Sequence, residues 1–152
     1  MRNRVGLICA SIVAIFAVAG LTFVRAEKAT PEDTPYTLNI VLTGGAEVPG
    51  PGDSDGSGTA ELKLNLATGE VCYTFTTAHI QPPTAAHIHA GAAGKSGGPK
   101  VTFNKAEDGT FKGCVNADKA ILKAIKANPS HYYVNLHTAD FPNGAIRGQL
   151  GK

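Results

Sequence analysis

Short segments in which apolar and polar residues alternate restrict this chain more than any other feature. In "YTLNIVLT" (36–43), Tyr36, Leu38, Ile40 and Leu42 fall on one side. In "GTAELKLNL" (58–66), Ala60, Leu62, Leu64 and Leu66 do the same, and in "EVCYTFTT" (70–77) Val71, Tyr73 and Phe75 oppose Cys72, Thr74 and Thr76. Successive side chains of a strand point to opposite faces, so a period of two predicts strands with one buried face. "ATGE" (67–70) reads as a tight turn and "AEDGT" (106–110) as a hairpin. Further strands are expected at 84–90, 99–104, 109–115, 131–138 and 144–150. One stretch differs. "NADKAILKAIKANP" (116–129) has an Asn cap, an acid in its first turn and Pro129 as a stop, with Ala117, Ile121, Ala124 and Ile125 on one helical face. About eight short strands with one inserted helix predict an all-β fold, a Greek-key sandwich or barrel.

The N-terminus is a separate matter. Arg2 and Arg4 precede an apolar run, Val5 to Val24, and Val24-Arg25-Ala26 offers a cut after Ala26. That pattern is a secretory signal peptide over 1–26. The run is long enough to span a bilayer, so an uncleaved N-terminal anchor is the alternative. Either way residues 27–152 are exported, to the periplasm or beyond. Residues 27–35, "EKATPEDTP", read as a flexible linker, and 36–150 as one domain. The leader holds Arg2, Arg4 and Arg25 of the chain's 14 basic residues and none of its 12 acidic ones. The exported part is therefore slightly acidic, and nothing in it asks for nucleic acid or for a membrane beyond the leader.

Cys9 belongs to the leader, which leaves Cys72 and Cys114. In an oxidising compartment one disulfide is the default, worth about 4 kcal/mol for a loop of this length. The rival reading is a thiolate metal ligand. Two other stretches do not hold up as sites. "GAAGKSGG" (91–98) contains Gly-Lys-Ser, but His89 stands where a phosphate-binding loop needs Gly, and no helix follows. "GGAEVPGPGDSDGSG" (44–58) lacks the spacing and terminal Glu of a calcium loop, and reads as a flexible loop.

The histidines follow strand parity. His87 and His89 share a face with Ala85, opposite Ala86, Ile88 and Ala90. In "SHYYVNLHT" (130–138), His131, Tyr133, Asn135 and His137 lie opposite Tyr132, Val134 and Leu136. In "GAIRGQL" (144–150), Ala145, Arg147 and Gln149 alternate with Ile146, Gly148 and Leu150. Three segments thus carry polar side chains on the outer face. Two histidines at i and i+2 can hold one ion, and imidazole suits copper and zinc.

"LTGGAEVPG" (42–50), "AAHIHAGAAGKSGGP" (85–99) and "YYVNLHTADFPNGAIRGQL" (132–150) resemble, in that order, the hallmark segments of the CHRD domain. That domain is named for its repeats in chordin and is common in secreted bacterial proteins. The motifs are Glu47-Val48-Pro49, His87-Ile88-His89, Asn135-Leu136-His137-Thr138 and the run Gly144 to Gln149. Ala145 stands where the family often has Glu, and the cysteine pair is not a general family feature. The resemblance implies an immunoglobulin-like or superoxide-dismutase-like sandwich. "HIH" before a Gly-rich loop also resembles the copper strand of copper/zinc superoxide dismutase, which takes its copper ligands from the outside of a barrel. No zinc subloop is recognisable here, so a full dismutase site is not expected.

The expectation is an exported protein binding one copper or zinc ion, for metal carriage or buffering. His87, His89 and His137 are the expected ligands and His131 a candidate fourth. Asn135 and Arg147 would orient ligands or attract an anion. His79 is a bystander. Binding should fall as the pH drops through about 6.5, the ordinary imidazole range. Two alternatives stand beside this reading: a non-enzymatic module that binds an extracellular protein partner, and a copper-dependent redox enzyme such as a dismutase.

Overall fold

A computed structural model describes residues 34–151. The expected leader (1–26) and nearly all of the expected linker (27–35) lie outside the described residues. Among the described residues no helix is long and apolar enough to cross a membrane.

Eight antiparallel strands form one sheet: β1 (Tyr36–Thr43), β2 (Ser57–Leu64), β3 (Glu70–Ala78), β4 (Ala85–Ala90), β5 (Pro99–Phe103), β6 (Lys112–Asn116), β7 (Tyr132–His137) and β8 (Ile146–Gln149). Their order across the sheet is β5-β4-β7-β8-β1-β2-β3-β6. The sheet curls into a nearly closed barrel. Near its open seam, the Tyr73 hydroxyl on β3 donates to the Asn104 carbonyl at 2.8 Å and accepts from the Asn104 N–H at 3.1 Å. The alternating residues fill the interior: Leu38, Ile40, Leu42, Leu62, Leu64, Val71, Phe75, Ile88, Val134, Leu136 and Ile146 are all buried. This is the expected all-β architecture with one short helix.

Several details depart from expectation. The helix, α1, spans Lys119–Ala127, and its cap is Asp118 rather than Asn116: the Asp118 carboxylate accepts from Ala120 N–H at 2.7 Å. Its fully buried residues are Leu122 and Ile125, while Ile121 and Ala124 are only partly covered. The 44–58 segment is not loose. Gly44 N–H donates to Gly56 O, Gly52 N–H to Gly44 O and Asp53 N–H to Ala145 O, which pins the loop over β8. Gly148 explains part of the fit between β8 and β1, because a Cβ there would collide with Ile40 and with the Val41 carbonyl.

Cys72 and Cys114 pair directly across β3 and β6, with Cα atoms 4.0 Å apart, and form the expected disulfide. Glu70 lies beside the two sulfurs. Because the sulfurs are bonded to each other, neither is a thiolate ligand.

Candidate metal centre

The register of β4 against β7 builds the site. His87 faces Asn135 and Ala85 faces His137, so His87, His89, Asn135 and His137 cluster on one face. Ring nitrogens of His87, His89 and His137 lie within 4.8 Å of one another. His87 Nδ1 is 3.1 Å from His137 Nε2.

The outward nitrogens of two of these rings are already engaged. His89 Nδ1 is 2.8 Å from the Gly97 carbonyl, and His137 Nδ1 is 3.0 Å from the Pro142 carbonyl. A carbonyl only accepts, so both Nδ1 atoms carry the proton and both Nε2 atoms keep a lone pair. The turn after β7 sets this up: Phe141 N–H donates to Thr138 Oγ1 and Gly144 N–H to Phe141 O, which carries Pro142 over His137. His89 Nε2 is buried and has no hydrogen-bond partner.

Burial pushes the His87 imidazole down to about 4, helped by the neighbouring His137 and His89. Burial also lowers His89 and His137, against the raising effect of their hydrogen bonds to the Gly97 and Pro142 carbonyls. Neutral imidazole is the form that can ligate a metal, and the lowered values favour it at ordinary pH.

The face around the trio is covered rather than open. The 91–98 segment lies across it, held by side chains from the sheet. Arg147 donates from Nη2 to the Ala92 carbonyl, Gln149 donates to the Gly91 carbonyl, and Gly97 N–H donates to the Tyr133 hydroxyl. Tyr133, on the strand between β4 and β8, takes a neighbour from each. The His89 ring stacks on it with centroids 4.9 Å apart, and the Arg147 guanidinium lies 3.4 Å from its centroid. Arg147 is 1% exposed and Asn135 2%. Arg147 is therefore sealed from solvent. Its guanidinium lies over the Tyr133 ring on which His89 stacks.

His131 does not join the trio. Pro129–His131 forms a 3-10 turn, and β7 starts only at Tyr132, so the parity that would align His131 with His137 fails. His131 is exposed, and its carbonyl accepts from Gly91 N–H. His79 is exposed in the loop after β3 and stands apart, as expected.

Glu47 belongs to this neighbourhood although parity gave no hint of it. It is 5% exposed, hydrogen-bonded with Asn135 and close to Arg147. Burial pushes its carboxyl up to about 7, against the lowering effect of those two neighbours. It supplies the acid near Arg147 that Ala145 does not. Its signal in the sequence was the Glu47-Val48-Pro49 motif, a charged residue amid small ones.

A family model described as the CHRD domain matches residues 38–150. No curated protein and no solved structure matches the chain.

Proposed function

The chain belongs to the CHRD domain family, and from that premise we propose that it is an exported module whose His87 Nδ1, His89 Nε2 and His137 Nε2 hold one copper ion, with zinc as the alternative. The observation that carries the reading is the pair of carbonyls, Gly97 O and Pro142 O, that take the far nitrogens of two rings. Such outer hydrogen bonds fix the tautomer and raise the basicity of a ligating histidine. Three neutral nitrogens suit either ion and leave a further coordination position for solvent or a small ligand. His87 adjusts on binding. Its Nδ1 proton serves His137 Nε2 in the metal-free pair, and must move to Nε2 before Nδ1 can ligate.

The family and the disulfide fit a protein that works outside the cytoplasm. The leader over 1–26 and the tether over 27–35 are part of this proposal, and so is metal carriage or buffering as the task. Metal analysis of untagged protein purified from the exported fraction tests it. One copper or zinc ion per chain is expected, and protein that holds neither after exposure to both is the contrary result.

A further inference from the structure

Among the described residues, four buried polar side-chain atoms lack a hydrogen-bond partner: Glu47 Oε1, His89 Nε2, Asn135 Oδ1 and Arg147 Nη1. They share one neighbourhood. Asn135 pairs in register with His87 on one side and Arg147 on the other. Its carboxamide also interacts with both Glu47 and His89.

A carboxamide has a donor end and an acceptor end, and a carboxylate only accepts. Ionised Glu47 therefore takes the Asn135 NH2 group, and Asn135 Oδ1 is left turned towards His89. The free nitrogen of His89 is Nε2, also an acceptor, because its Nδ1 proton is committed to Gly97 O. Two buried acceptors that face each other are costly unless something positive lies between them. A metal ion supplies that. With the amide reversed, NH2 would donate to His89 Nε2 and occupy the lone pair that a metal needs. Gly144 makes the arrangement fit: at φ +137 it accepts a backbone geometry that favours glycine, and a Cβ there would collide with the Glu47 carboxylate.

We propose that Glu47 is a positioning residue of the metal centre: by accepting from the Asn135 NH2 group it holds Asn135 Oδ1 towards the ion and keeps the His89 lone pair free. This role rests on the metal-binding reading above.

The test is a double-mutant cycle on zinc affinity, measured at pH 8 by competition with a chromophoric chelator on folded, untagged protein. Glu47→Gln, whose amide can donate as well as accept and so no longer enforces the Asn135 orientation, should weaken zinc binding by about 10- to 100-fold, the range typical of a disturbed outer partner. In an Asn135→Ala background the same substitution should change affinity by less than about twofold, since the amide that transmits its effect is gone. With Cu(II) bound, Glu47→Gln should alter the EPR spectrum of the parent, and should not alter that of Asn135→Ala. Equal losses in both backgrounds would mean that Glu47 acts by charge alone, and would overturn the proposal. So would a Glu47→Gln protein that binds like the parent. A parent that holds no metal overturns the centre itself, and the positioning role with it. If Glu47→Gln alone fails to fold, the swapped pair Glu47→Gln with Asn135→Asp decides. It keeps one amide donor and one carboxylate in contact and presents an oxygen to His89 in either orientation, so it should hold zinc like the parent, whereas a loss as large as that of Asn135→Ala overturns the role.

Discussion

His87 Nδ1 and His137 Nε2 lie 3.1 Å apart although 50 residues separate them in the chain. The contact follows from the antiparallel register of β4 and β7, which sets Ala85 against His137 and His87 against Asn135. One histidine at position 137 therefore completes a trio begun by a dipeptide repeat far away in sequence.

Removing any one ligand should be severe. His87→Ala, His89→Ala and His137→Ala should each weaken copper or zinc binding by more than about 100-fold, beyond the usual cost of an outer partner. His79→Ala and His131→Ala should leave affinity nearly unchanged, because neither ring joins the cluster. Chelator competition checks all five. A loss at His131 equal to that at His137 would contradict the geometry.

Metal binding should persist into mild acid. Unperturbed imidazoles titrate near 6.5, but burial holds all three below the usual range, with His87 at about 4. Protons compete with metal only near or below the ligand pKa. In the Glu47→Gln variant, where Glu47 does not titrate, affinity should therefore begin to fall only below pH 6.5, because all three imidazoles are held under their ordinary range. Burial should move the histidine part of the fall expected from sequence to lower pH. Zinc affinity of Glu47→Gln protein at pH 7.5, 6.5 and 5.5 checks this, and a steep loss already under way at 6.5 would contradict it.

The same groups act on the stability of the metal-free fold with opposite signs. The histidines have depressed folded pKa values, so their contribution is complete above about 6.5 and is lost as the pH falls below it, for His87 through about 4. Glu47 is raised from 4.5 to about 7, so its contribution is complete below 4.5 and is lost as the pH rises through 7. Glu47→Gln removes only the second effect. Relative to the parent, its stability should rise between pH 4.5 and 7, by on the order of 3 kcal/mol at most. Urea unfolding at those two pH values measures the difference. A pH-independent difference would show that Glu47 is not held neutral by burial.

The Cys72–Cys114 bond closes a 42-residue separation between neighbouring strands. Its reduction should lower unfolding free energy by about 4 kcal/mol. Thiol titration of denatured, unreduced protein cleaved after Ala26, and so without Cys9, should find no free thiol, and two free thiols would contradict the bond.

The fold and the clustering of His87, His89 and His137 were legible because both rest on parity. Alternation in 36–43, 58–66 and 70–77 marks strands with one buried face, and His87, His89 and His137 keep the same phase on theirs. What parity could not show depends on chain that is neither strand nor helix. His131 falls out of phase because Pro129 begins a 3-10 turn before β7. Arg147 and Asn135 look like surface residues on an outward face, and become buried only because the 44–56 and 91–98 loops cover it. Glu47 is placed by backbone hydrogen bonds such as Gly52 N–H to Gly44 O and Asp53 N–H to Ala145 O, which no residue pattern announces. Leu122, buried with Ile125, was absent from the helical face read from the sequence, whose first member Ala117 lies before α1.

X-ray absorption on metal-loaded protein tests the central claim most directly. A copper- or zinc-loaded chain should show three imidazole nitrogens around the ion, at about 2.0–2.1 Å for zinc, and His137→Ala should lower that count to two. A spectrum dominated by oxygen ligands, or one that His137→Ala leaves unchanged, would contradict a centre built from His87, His89 and His137.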